Sequence, residues 1–193
     1  MKKEYQSGGG LGHYETPDQW LTRLGIDTVI GFFGYSESFD GATPENITRY
    51  KKELRAFITH SLQAKYTNNG AQLAIVSPAA FENLTDSYDL PTGNQINSRL
   101  EAYTKAMQEV CAEEGILFVD VLQVTKALYN ESNEALTSNG HNLNAKGYKK
   151  LSPVLADKLF GKVAAKGDYT KVKAAVAAKN KLWINDYKVP NGV

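Results

Sequence analysis

Hydrophobic positions along the chain follow two rhythms. Thr28-Val-Ile-Gly-Phe-Phe-Gly34 and Gln72-Leu-Ala-Ile-Val-Ser77 are nearly continuous apolar runs, as expected of strands covered on both faces, and Pro78 closes the second. Ile116-Leu-Phe-Val-Asp-Val121, which follows Gly115, is a third strand candidate. Between these runs, apolar residues recur at three- and four-residue steps. Thr43-Pro-Glu supplies a capping hydroxyl, a proline at the first helical position and an acid in the first turn. Ile47, Tyr50, Leu54, Phe57, Ile58 and Leu62 then mark one stripe of a helix that ends near Tyr66, before Asn69-Gly70. The stretch from Ile96 to Glu114 repeats the format, with Leu100, Tyr103, Met107, Val110 and Cys111 on one face. Ala145 to Phe160 and Tyr169 to Trp183 read as two further helices, and Thr16-Pro-Asp caps a short one ahead of the first strand.

The order strand, helix, strand, helix, strand, loop, helix predicts an α/β fold: a parallel sheet with right-handed crossovers and helices on both faces, in three layers. Ligands of such sheets bind beyond the carboxyl ends of the strands. The functional candidates are therefore the segments Tyr35 to Asp40, Pro78 to Asn83 and Thr137 to Asn144. The expected organisation is a Gly-rich segment over 1–15, an α/β domain over 16–162, and a Lys-rich helical extension over 163–193.

Length and charge narrow the function classes. A chain of 193 residues can bury one sizeable core. The formal charge of +1, from 22 Lys and Arg against 21 Asp and Glu, gives no global reason to expect nucleic acid or an anionic membrane as partner. The balance is uneven, because from Lys146 onward there are 11 Lys and only 3 Asp. That excess fits a solvated helical tail or a basic docking surface. The single cysteine, Cys111, excludes an intrachain disulfide framework and a cysteine zinc cage. No apolar run approaches membrane-spanning length, and no apolar core follows the basic residues at the start, so no secretory signal is expected. Gly8-Gly-Gly-Leu-Gly12 follows no strand and precedes no Lys-Ser/Thr, and metal-ligand spacings are missing, so no cofactor and no metal is expected.

Two loops carry candidate chemistry. In Gly34-Tyr-Ser-Glu-Ser-Phe-Asp-Gly41, the side chains of Ser36, Glu37 and Ser38 follow a strand end, where small polar groups can donate to a developing oxyanion. In Leu136-Thr-Ser-Asn-Gly-His-Asn-Leu-Asn144, His141 sits among small polar residues, which suits an accessible general base. His60 lies off the apolar stripe of its helix, His13 falls in the Gly-rich start, and Cys111 belongs to the core face of its helix.

Three blocks, in order, resemble the SGNH (GDSL-like) hydrolases: Asp27-Thr-Val-Ile-Gly-Phe-Phe-Gly-Tyr-Ser-Glu-Ser-Phe-Asp-Gly41, Ser77-Pro-Ala-Ala-Phe-Glu-Asn-Leu84 and Leu136-Thr-Ser-Asn-Gly-His-Asn-Leu-Asn144. The subgroup most similar is found fused to bacterial c-type haem-binding and dehydrogenase-like proteins. The resemblance implies the flavodoxin-like SGNH fold and a serine esterase, in many members a carbohydrate deacetylase, in a periplasmic or secreted setting. It implies that Gly34-Tyr-Ser-Glu-Ser38 matches the Gly-x-Asn-Asp/Glu block, placing Gly34, Ser36 and Glu37 at the oxyanion and substrate. It also implies that Asn139 to Leu143 matches the histidine block, with His141 or Asn142 in the catalytic position. Three departures stand out. Ser36 occupies the place of the oxyanion asparagine, with a shorter reach. His141 is displaced by one from strict register, where Asn142 stands. Nothing resembles Gly-Asp-Ser; the only serine before the first strand, Ser7, lacks that context. The expectation is an SGNH-type domain without its first strand and nucleophile block, weakly active or inactive. A non-catalytic module binding a saccharide or a neighbouring domain is the alternative. An acylated small molecule or carbohydrate is the expected ligand, and a flavin-binding doubly wound domain is a more distant possibility.

Overall fold

The computed structural model describes residues 16–64, 66–67, 70–84, 93–162 and 167–187, with side chains to 184. Ser7, His13 and the glycine run between them lie outside the described residues. The chain divides into two compact units at Gly161 and Lys162.

The first unit opens with α1 (Pro17–Leu24), which has a full capping box: Thr16 accepts from the Gln19 amide and the Gln19 side chain accepts from the Thr16 amide. Strand β1 (Thr28–Phe32) follows, and a 3-10 turn, Glu37–Asp40, leads into α2 (Pro44–Gln63), with Thr43 as cap. Next come β2 (Gln72–Val76), α3 (Gly93–Glu114), β3 (Leu117–Val119), α4 (Val121–Glu131) and α5 (Ala145–Phe160). The three strands pair in parallel in the order β1-β2-β3. This is the α/β fold with a parallel sheet that the sequence order predicts.

The pleat distributes side chains between two cores. Register pairs Val29 with Leu73, and Gly31 with Ile75, which in turn pairs with Phe118. These face α2 and α3, where Ile58, Ile75, Met107, Val110 and Cys111 are fully buried. Burying an aliphatic side chain of this kind contributes about 1.5–3 kcal/mol. The opposite face presents Ile30, Val76 and Val119 to Val121, Leu151 and Leu155, so α4 and α5 form the third layer. Two crossovers that advance in one direction along a parallel sheet both lie on one face, which explains why α2 and α3 share theirs. Lys51–Glu109 and Arg55–Glu114 ion pairs cross the rim between those helices.

The sequence reading and the structure differ at one element. The third apolar run was expected to remain extended through Val121, but the strand stops at Val119. Asp120 accepts from the Gln123 amide and starts α4. The amides of Val121 and Leu122 donate to Ser77 Oγ, at 2.8 and 3.0 Å, so the end of β2 caps this helix as well. Leu62, expected in the core stripe of α2, is exposed, and Ser61 is buried in that turn instead.

The second unit contains α6 (Thr170–Tyr187), and its described side chains are exposed. Among the described residues, no helix is long and apolar enough to cross a membrane.

Candidate active site

A cavity of about 590 Å³ opens at the carboxyl ends of the strands. Phe32, Phe33, Tyr35, Ser36 and Glu37 line it from the end of β1, and Ser77 to Ala79 from the end of β2. His141, Asn142 and Leu143 enter from the late loop, and Tyr148, Leu151, Ser152 and Leu155 from α5. Residues more than a hundred positions apart thus share one wall, as expected where parallel strands end together.

The late loop is a tight hairpin. Thr137 and Leu143 form an isolated antiparallel bridge, and the Ser138 amide donates to the Asn142 carbonyl at 2.8 Å. Its tip, Asn139-Gly-His141, is tied locally, since Asn139 Oδ1 accepts from the amides of His141 and Asn142 at 3.2 and 2.8 Å. Its base is tied at long range. Buried Glu82, at the end of the segment after β2, accepts from the amides of Leu136 and Thr137 and from the Thr137 hydroxyl, at 2.6–3.0 Å. The Glu82 amide also donates to the Gly140 carbonyl at 2.7 Å. A buried carboxylate survives only when it is hydrogen-bonded in this way.

Two glycines make the packing possible. A Cβ on Gly140, whose φ is 82°, would meet the Phe81 ring at 2.4 Å. One on Gly147 would meet the Leu136 carbonyl oxygen at 2.2 Å, so only glycine lets α5 approach the hairpin this closely. Asn144 finishes the join. Its Oδ1 accepts from the amides of Lys146 and Gly147 in the first turn of α5, while its Nδ2 donates to the Ala135 and Thr137 carbonyls.

His141 stacks on Tyr35, with ring centroids 3.5 Å apart and planes 11° from parallel. Its Nδ1 is buried and, among the described residues, has no hydrogen-bond partner. Protonation would place a second N–H on a ring that can satisfy only part of its donors, and burial lowers the imidazole pKa from its ordinary 6.5. The ring is therefore held in its neutral, proton-accepting form at pH 7. Burial raises the pKa of Tyr35, which stays a phenol.

The sequence-selected residues divide into two groups. Ser36, Glu37, His141 and Asn142 line the cavity. Gly34 and Asn139 stand behind it. The Gly34 amide donates to Glu37 Oε2 at 3.0 Å, and Asn139 holds the hairpin tip. Ser38, expected at the rim, is buried, and its hydroxyl donates to the Tyr35 carbonyl. The other early candidates are structural: His60 pairs with Asp18 at 3.0 Å on the surface, and Cys111 is a core residue whose thiol burial pushes up to about 11. Ser152 escaped the sequence reading, and Tyr35 and Glu82 fell within its candidate segments without a role of their own. The Phe-Glu-Asn run after β2 marked Glu82 as part of a block, but not as a buried anchor. Among the described residues, no group of three or more His, Cys, Asp or Glu is placed to hold a metal ion.

No protein-family model and no curated protein matches the chain. Solved structures share its fold. The acetylxylan esterase Axe2 from Geobacillus stearothermophilus overlays with a TM-score of 0.55 at 13% identity, over 76% of this chain and 65% of that one. A catalytic mutant of the same enzyme gives 0.55 at 14% identity, over 75% and 64%. A lipase/acylhydrolase from Enterococcus faecalis gives 0.49 at 18% identity, over 74% and 65%. The chain thus spans less than two thirds of these neighbours' length. At such identities the likeness to Axe2 establishes the α/β fold alone, the fold class expected from the sequence.

Proposed function

We propose that the cavity is an ester-hydrolysing site of SGNH type, of low intrinsic rate, that takes the acyl group of an acylated carbohydrate. One observation carries this reading: a neutral imidazole, His141, and a small hydroxyl, Ser36, line the same cavity at the carboxyl ends of the strands. His141 acts as general base. It takes a proton from a hydroxyl nucleophile, water in the simplest case, as the oxygen bonds to the acyl carbon. The Ser36 hydroxyl donates to the oxyanion that forms on the carbonyl. The intermediate collapses, the carbon–oxygen bond to the alcohol breaks, and the imidazolium returns its proton to the leaving oxygen. Asn142 stands beside the base as a second amide donor to the substrate, and Glu37 fixes the Ser36 turn through the Gly34 amide. The carbohydrate is suggested by fold-level likeness to acetylxylan esterases.

The low rate follows from Nδ1. Among the described residues no carboxylate orients the ring, and in a serine-protease triad the equivalent loss costs about 10⁴-fold. The same feature favours a second reading, a module that binds acylated saccharide without turning it over.

Hydrolysis of para-nitrophenyl acetate separates the two. The purified chain is expected to exceed the buffer rate, His141→Ala to fall to it, and Ser36→Ala to lose about 10²-fold or more of the enhancement. Equal rates for the chain and His141→Ala end the hydrolase reading.

A further inference from the structure

The tip of the late hairpin is an Asn-Gly pair, Asn139-Gly140, the dipeptide in which a main-chain nitrogen reaches the preceding side-chain amide with least hindrance. The groups around that amide suit such an attack. Asn139 Oδ1 faces the amides of His141 and Asn142, at 3.2 and 2.8 Å, so charge growing on this oxygen meets two donors already in place. On the other side, the Gly140 amide donates to Thr137 Oγ1 at 3.0 Å, and the Thr137 hydroxyl donates to Glu82 Oε2 at 2.6 Å. A main-chain N–H tied to a carbonyl is held back from reaction, because the carbonyl cannot pass the proton on. Here the acceptor is a hydroxyl with a carboxylate behind it, which makes a relay from the nitrogen to a base. The N–H lies in the peptide plane, so a proton directed at Thr137 leaves the faces of the nitrogen open to carbon. Asn139 itself is exposed, and water has access to it.

We propose that Asn139 is a self-modification site, converted by its own hairpin into aspartate or isoaspartate with loss of ammonia. The Gly140 nitrogen bonds to Asn139 Cγ as its proton passes to Thr137 Oγ1 and the Thr137 proton to Glu82. The carbonyl electron pair moves onto Oδ1, against the amides of His141 and Asn142. It then returns, the Cγ–Nδ2 bond breaks, and the Nδ2 group leaves as ammonia with the proton that Glu82 took up. Water opens the cyclic imide left between residues 139 and 140 at either carbonyl, giving aspartate or isoaspartate. One asparagine and one water thus become one acidic residue and one ammonia, with no change of oxidation state. Either product carries a negative charge at the tip, and isoaspartate adds a methylene to the main chain there. The inference stands on the hairpin alone, whether or not the cavity hydrolyses an ester.

The test follows the full chain over days at neutral pH by mass spectrometry that separates asparagine, aspartate and isoaspartate peptides. A synthetic peptide of residues 136–144 in the same buffer gives the rate without the fold. Asn139 is expected to convert about tenfold or more faster in the folded chain than in the peptide. Thr137→Val, which cuts the relay, should fall to the peptide's rate, and Thr137→Ser, which restores the hydroxyl, should regain the lead. A urea melt of each variant shows that folded proteins are being compared; if Thr137→Val does not fold, the chain and the peptide decide between themselves. A rate in the folded chain equal to or below the peptide's overturns the inference. So does a folded Thr137→Val protein that converts as fast as the parent, or a Thr137→Ser protein no faster than Thr137→Val.

Discussion

His141 is defined by what surrounds it: a parallel Tyr35 ring at 3.5 Å on one side and a buried Nδ1 with no partner among the described residues. The lowered pKa follows from desolvation by burial, which disfavours the imidazolium. For the proposed hydrolysis the consequence has a definite sign. The neutral base persists at pH 7, and kcat/KM should fall only as pH drops through a value below 6.5, the ordinary imidazole pKa. Stability has the same sign. Below 6.5 the unfolded chain takes up a proton that the folded chain resists, so stability is lost as pH falls through that range. A pH–rate profile and urea melts at pH 7 and 5, each compared with His141→Ala, check this. An acid limb centred above pH 7 would contradict it, as would equal pH sensitivity of the two proteins.

At the scale of elements, the hairpin owes its position to Glu82. Glu82→Gln exchanges one acceptor oxygen for an NH₂, which in its better orientation still faces the Leu136 amide donor. It should cost about 1–3 kcal/mol in urea unfolding and, if the proposed hydrolysis holds, lower the para-nitrophenyl acetate rate further than that loss of folded fraction explains. Unchanged stability would show that the carboxylate is dispensable. This anchor also marks where sequence reasoning stops. Strands β1 and β2 and helices α2 and α3 were legible because their signals are local: apolar runs, three- and four-residue steps, Thr43-Pro at a helix start. His141 and Ser36 were legible as loop residues after or near strand ends. The Glu82 partners lie 54 and 55 positions away, and the Ser77 cap on α4 reaches across 44. No periodicity encodes such contacts. Helix α4 was missed for a related reason: Val121 and Leu122 read equally well as strand, and the decisive cap is contributed by Ser77 from another element.

For the whole molecule, the two compact units predict separable stability. Removing residues 162–193 takes away no buried described side chain of the first unit, and α6 is exposed along its described length. A chain ending at Gly161 should therefore melt within about 2 °C of the full chain, since even 1 kcal/mol would move a domain of this size by roughly 2–4 °C. A larger drop in a calorimetric scan would reveal support from the second unit.

The layer order has a further consequence during synthesis. The core between the sheet and the α2/α3 layer is complete once Glu114 and β3 have emerged from the ribosome, but Val76 and Val119 on the other side wait for Leu151 and Leu155 of α5. A nascent chain is thus half-upholstered for the time needed to translate the intervening stretch, showing an oily sheet surface to whatever chaperone or sister chain is near. Slow codons between α4 and α5 would prolong that window, and co-translational aggregation should be most sensitive to changes there.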